Sequence, residues 1–182
     1  MRNAFHSYHS LEYTIKSKTL YTSTMKKYRE NLQLFIERIK SKKIIENEVA
    51  IGEFSPPIIE KLQQYNLTLE TKEIYLSVNA YNHQLRTFKQ NKGKSIPIDW
   101  VEEFYITLNS PYKVFLDIKN RDRLILIYVD NQHESLFKIV IQPNYKTKKG
   151  LINYILTSGV IKKIDLNNKY YEEIDLEPMV GT

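Results

Sequence analysis

The sequence contains no cysteine. That excludes a disulfide framework and any thiolate-held zinc centre. Glycine is scarce, with five in 182 residues, and none falls in a G-x-G-x-x-G or G-x-x-x-x-G-K-[ST] pattern. Phosphate cradles built on those loops are therefore excluded. No apolar run approaches the ~20 residues that cross a bilayer, so no membrane partner is expected. The first ten residues are polar, carry His6 and His9, and do not read as a secretory signal. No H-E-x-x-H, EF-hand loop or carboxylate cluster is visible, and neither a metal nor a cofactor is expected. The compartment these absences favour is the cytoplasm.

What is present is apolar and aromatic. The 42% hydrophobic content, with 14 Tyr and 7 Phe, argues for a packed core rather than a disordered chain. The net charge of +6 is unevenly spread. Residues 16–43 hold nine Lys/Arg against Glu30 and Glu37, and residues 143–169 hold six Lys against Asp165. Arg86, Lys89, Lys92 and Lys94 crowd one stretch with no acid, whereas Glu172, Glu173, Asp175 and Glu177 make the end acidic. Clustered positive charge points to a polyanion partner. The competing explanation is a Lys-, Asn-, Ile- and Tyr-rich composition typical of A·T-rich coding.

Along the chain, residues 1–21 show no clear period and read as an arm or a short packed extension. Met25, Tyr28, Leu32, Phe35, Ile36 and Ile39 recur at helical steps, predicting a helix over 23–43 with a basic opposite face. A strand follows over 48–54. Ser55-Pro56-Pro57 then opens a helix with Ile58, Ile59, Leu62 and Tyr65 inward. A strand ends at Ser77, which caps a helix through Tyr81, Leu85 and Phe88. A further helix starts near Pro97 with Asp99 as its cap and runs to Leu108. Short β-rich runs then cover 112–118, 123–129, 135–142 and 151–157, with a fifth over 160–165. The plan is α+β, with N-terminal helices packed on a four- to five-stranded antiparallel sheet. It divides into an arm and basic helix (1–45), an α+β domain (46–169) and an acidic tail (170–182).

Four histidines are candidates for chemistry. His133 sits in a turn and reads as solvated. His6 and His9 have metal-like spacing but no helical pattern around them. His83 lies on a helix with Arg86 and Lys89 roughly one and two turns on. A histidine beside two cations suits metal-free RNA cleavage: the imidazole moves a proton at the ribose 2′-OH or the leaving oxygen, and the cations hold the phosphate. The competing explanation is a partly buried histidine at the core edge.

Gly52-Glu53-Phe54-Ser55, Ile74-Tyr75-Leu76-Ser77, Tyr81-Asn82-His83-Gln84-Leu85-Arg86 and the 100–111 helix, followed by the strands, resemble the phage barnase–EndoU–colicin–RelE-type nuclease domains. These occur in phage and prophage proteins, including Mu F-like minor head proteins. The resemblance covers about Val49 to Asp165 and is diffuse. It implies a metal-independent endoribonuclease that cleaves RNA through 2′-OH attack, located in a bacterial cytoplasm or associated with phage. His83 matches the family's helix histidine and Arg86 its neighbouring basic position. Lys138, Tyr128, Tyr154 and Thr157 are the remaining catalytic candidates, with Lys138 and Tyr128 expected on one face. Lys89, Lys92, Lys94, Lys146, Lys148 and Lys149 are the expected nucleic-acid contacts. The family's second histidine has no match here. The alternative is therefore a catalytically degenerate module that binds nucleic acid, a phage structural protein or a neutralising protein.

Overall fold

The computed structural model describes residues 5–43, 46–86, 93–109, 111–120, 123–130, 135–148 and 150–176, with side chains of the first helix described from Ser23 onward. Five helices are present among them: α1 (Phe5–Lys40), α2 (Pro56–Gln64), α3 (Val78–Gln84), α4 (Ile98–Glu102) and α5 (Phe104–Thr107). The strands are β1 (Glu48–Glu53), β2 (Glu73–Ser77), β3 (Lys113–Asp117), β4 (Leu124–Asp130), β5 (Ser135–Thr147), β6 (Gly150–Ile161) and β7 (Tyr171–Ile174).

The architecture is α+β, and its sheet is larger than the four to five antiparallel strands expected. Seven strands run in the order β1-β2-β6-β5-β4-β3-β7. Strands β3 to β6 form an antiparallel meander, and β2 joins it parallel to β6 through Ile74–Asn153 and Tyr75–Tyr154. Such non-local pairing leaves no local sequence signal. The expected fifth strand over 160–165 is corrected as well. Val160 and Ile161 complete β6, and the Lys162 N–H then donates to Asp165 Oδ2 (3.2 Å), turning the chain into a 3-10 turn over Lys163–Asn167. The acidic end supplies β7 instead, paired with β3 and tied by Lys113 Nζ to Glu173 Oε1 at 2.6 Å.

Period-two alternation separates the two faces of the sheet. Leu124, Leu126 and Tyr128 of β4 and Phe137, Ile139 and Ile141 of β5 point inward, into the main core under the helices. Ile125 and Ile127 of β4, Phe115 and Leu136 point outward and form a small cluster, partly covered by Leu166 and Tyr171.

Helix α1 corrects the arm, because its helical backbone begins at Phe5 and takes in His6 and His9. Leu32, Phe35 and Ile36 enter the main core, so packing joins segments that the sequence sets apart at residue 45. Asn31 Nδ2 donates to the Ala50 carbonyl of the edge strand β1 (3.2 Å). An exposed strand edge is thereby covered. The helix expected over 97–108 breaks at Glu103 into α4 and α5, with Pro97 at the cap position and Asp99 in the first turn. Trp100, Val101, Phe104, Tyr105 and Leu108 still pack on the core. Gly52 lies where a Cβ would come within 2.8 Å of Leu108 Cδ1.

Candidate functional site

Strand β2 passes directly into α3. The Ser77 hydroxyl accepts the Ala80 N–H at 3.0 Å, capping the helix as its sequence predicts. Ala80, Tyr81 and Gln84 form the buried side, and His83 is half-buried on its flank. The expected apolar stripe is shorter than the spacing suggested. The helix ends at Gln84, Leu85 is 40% exposed, and Phe88 lies outside the described residues. Arg86 is exposed.

Where β2 leaves the sheet, β6 continues to Ile161. Its vacated edge is taken by the segment 93–96: Val160 N–H donates to the Lys94 carbonyl (3.1 Å), and Ser95 Oγ donates to the Gln84 carbonyl (3.3 Å). Gly159 permits this approach, since a Cβ there would sit 2.8 Å from the Lys94 oxygen. Lys94, α3 and the C-terminal half of β6 are thus locked together.

On the outer face beside this edge lies an open groove of about 910 Å³. Lys138 and Thr157 lie on its floor, with Gly159 opposite Lys138 in the β5–β6 register. Lys94 and Lys162 flank it, and Asp165, Asn168 and Tyr171 line the side formed by the 3-10 turn. Lys94, Lys138 and Lys162 face Asp165, whose carboxylate is engaged in the turn. A groove so lined suits an anion. Beyond the turn lies a second recess of about 820 Å³, lined by Tyr112, Phe115, Val129 and Leu136 among others.

Of the residues expected from sequence, Lys94, Lys138 and Thr157 come together in this groove. Tyr128 does not, and the expectation that it shares a face with Lys138 is corrected. It stands opposite Phe137, next to Lys138 in the chain, and so on the inner face. Its ring meets Trp100 edge-on at 5.8 Å, and burial pushes its phenol well above the usual range. A phenol sealed in the core cannot exchange protons with a substrate on the surface. Tyr154 lies on the outer face opposite Gln142, stacked with Tyr145 at 4.9 Å. Lys146 and Lys148 are exposed near the β5–β6 turn. Lys89, Lys92, Lys149 and His133 lie outside the described residues.

Sequence reasoning missed Lys162, Gly159 and Tyr145. It also missed a pair of carboxylates. Glu53 and Glu73 face each other across β1 and β2. Tyr28 Oη donates to Glu53 Oε2 (3.2 Å) and Glu73 Oε1 (3.4 Å), and Tyr75 Oη donates to Glu73 Oε2 (2.9 Å). Lys27 Nζ reaches Glu73 at 3.1 Å and Lys72 Nζ reaches Glu53 at 3.0 Å. Burial and the Glu73 carboxylate push the Tyr75 phenol up to about 12, and burial with both carboxylates raises Tyr28 further. Burial works to raise the Glu73 carboxyl, but hydrogen bonds from Tyr75 and Lys27 outweigh it and hold the group below the usual carboxylate value. Two acids twenty residues apart carry no signal until the strands pair. Their lysine and tyrosine partners make this cluster an anchor for α1. Among the described residues, no three His, Asp or Glu side chains converge to hold a metal ion.

Compared with known proteins, the chain matches no family model, no curated protein and no solved structure.

Proposed function

We propose that this chain is a metal-independent endoribonuclease whose substrate lies in the groove beside β6. The observation that carries this reading is the cation-lined groove: Lys94, Lys138 and Lys162 line it with Thr157. The 94–95 segment that borders it is hydrogen-bonded both to β6 and to the end of α3, the helix that bears His83. In the reaction, a base takes the 2′-OH proton as the 2′-oxygen bonds to phosphorus, the role proposed for His83 on the helix tied to the Lys94 segment. The bond from phosphorus to the 5′-oxygen breaks, and that oxygen takes a proton from Lys138, leaving a 2′,3′-cyclic phosphate and a 5′-hydroxyl. Lys94 and Lys162 offset the charge that grows on the phosphoryl oxygens.

A second reading, a nucleic-acid-binding module without catalysis, is favoured by one observation. Lys138 and Thr157 occupy the outer face, whereas α3 packs against the inner core. Labelled single-stranded RNA incubated in EDTA separates the two. The nuclease reading expects cyclic-phosphate fragments from the native chain and none from His83→Ala. It also expects Lys138→Ala to bind RNA more weakly, with a salt slope lower by about one. RNA bound but uncut by the native chain establishes the binding module, and RNA neither bound nor cut overturns both.

A further inference from the structure

The outer face carries a second built feature about five residues along β6 from Gly159, roughly 16 Å at ~3.3 Å per residue. There β5 bulges, the register with β6 slipping between Gln142 and Tyr145, and Asn144 adopts φ 50°. A bulge re-aims the side chain that follows it. Here it sets Tyr145 over the ring of Tyr154, at 4.9 Å and 25° between planes.

The bulge is held firmly. Asn144 Nδ2 donates to the Thr68 carbonyl (2.7 Å) and its Oδ1 accepts the Glu70 N–H (3.0 Å). Asn153, fully buried, donates to the Thr71 and Glu73 carbonyls (2.6 and 2.9 Å) and accepts the Asn144 N–H (3.3 Å). Two asparagines thus clamp a bulge whose outcome is one aromatic ring left 43% exposed. Core packing gives no reason for this arrangement, because Tyr145 lies outside both hydrophobic clusters.

Beside the ring opens a recess of about 480 Å³, bordered by Leu67, Pro143 and Lys146 among others. Arg123 lies on the same row, its Nε donating to Gln142 Oε1 at 3.4 Å. A pre-oriented tyrosine next to an open recess, between cations, suits the stacking of an unpaired nucleobase.

We propose that Tyr145 is a nucleobase-stacking site for single-stranded RNA, a subsite remote from the phosphate groove on the same face. This rests on the nuclease reading above and adds to it. The base extends the Tyr154–Tyr145 stack, Lys146 meets the adjoining phosphate, and the strand runs along β6 to Lys138. Tyr154 is on this account a support for Tyr145 rather than a proton-transfer group. A paired duplex offers no free base face, so the site selects single strands.

The test is binding of a fluorescent RNA oligonucleotide, in EDTA, to native protein, Tyr145→Ala and Tyr145→Phe. A matching series carries one abasic nucleotide at successive positions. Tyr145→Ala is expected to weaken binding on the order of tenfold or more, and Tyr145→Phe to stay within about twofold. One abasic position should weaken the native protein and leave Tyr145→Ala indifferent, a coupling that a merely structural role would not produce. Duplex RNA should bind both proteins equally. Equal single-strand affinity of native and Tyr145→Ala overturns the subsite and leaves the groove standing, as does a ring that instead captures protein. Failure of the native protein to bind RNA overturns the nuclease reading together with the subsite.

Discussion

Lys138 and Ile139 are neighbours in the chain, and the sheet sends them to opposite worlds. Ile139 is fully buried under the helices, while Lys138 lines an open groove. The inner face is closed by α1 to α5 into one large apolar cluster. Among the described residues, the outer face has a small cluster, partly covered by Leu166 of the 3-10 turn and Tyr171, and leaves Lys, Thr and Tyr side chains in reach of solvent. The apolar core is concentrated on one side of the strand and the proposed RNA-binding groove on the other. A one-residue register slip in β5 would exchange them.

The contrast can be broken hardest from the inside. Ile139→Ala should destabilise the fold by about 2–5 kcal/mol, read by urea unfolding, while RNA affinity of the folded fraction stays unchanged. Parallel losses of both would show that the faces are not separate.

The Glu73 anchor sharpens the comparison at the edge. Its folded-state pKa lies below that of the unfolded chain, so its contribution is present above the ordinary carboxylate value of about 4.3 and is lost as pH falls through the lower folded value. Glu73→Gln is expected to flatten that acid limb in a melting-temperature series from pH 7 to pH 3. An unchanged limb would dismiss the anchor.

The smallest expected effect concerns Tyr128, whose buried hydroxyl has no hydrogen-bond partner among the described residues. Tyr128→Phe should leave any RNA cleavage intact and raise stability slightly, by up to about 1 kcal/mol, because it removes an unsatisfied polar atom. A loss of cleavage would return Tyr128 to the chemistry.

Local features were legible in the sequence, and long-range ones were not. The Ser77 cap, the Ile58 and Leu62 face of α2 and the four meander strands each follow from residues a few positions apart. The β7 strand was hidden because its Glu172 and Glu173 lie on an exposed edge, where alternation carries no apolar signal. Helix α1 begins eighteen residues before the periodic stretch that announced it at Ser23, its first half lacking a regular apolar stripe. At the site, Lys94, Lys138 and Thr157 were named from sequence. Lys162 and Tyr145 were not, since a 3-10 turn and a bulge decide where they lie, and both depend on tertiary hydrogen bonds.

The parallel pairing of β2 with β6 also sets a timetable. The meander β3 to β6 forms between chain neighbours, whereas Ile74 must find Asn153 across nearly half the chain. Closing so long a loop is entropically costly before any contact rewards it. The meander can therefore assemble early, with β6 exposing an unpaired edge until β2 arrives. The Lys94 segment and Asn153's clamp on the 71–73 carbonyls both depend on that arrival, so the groove beside β6 is completed only after β2 has docked.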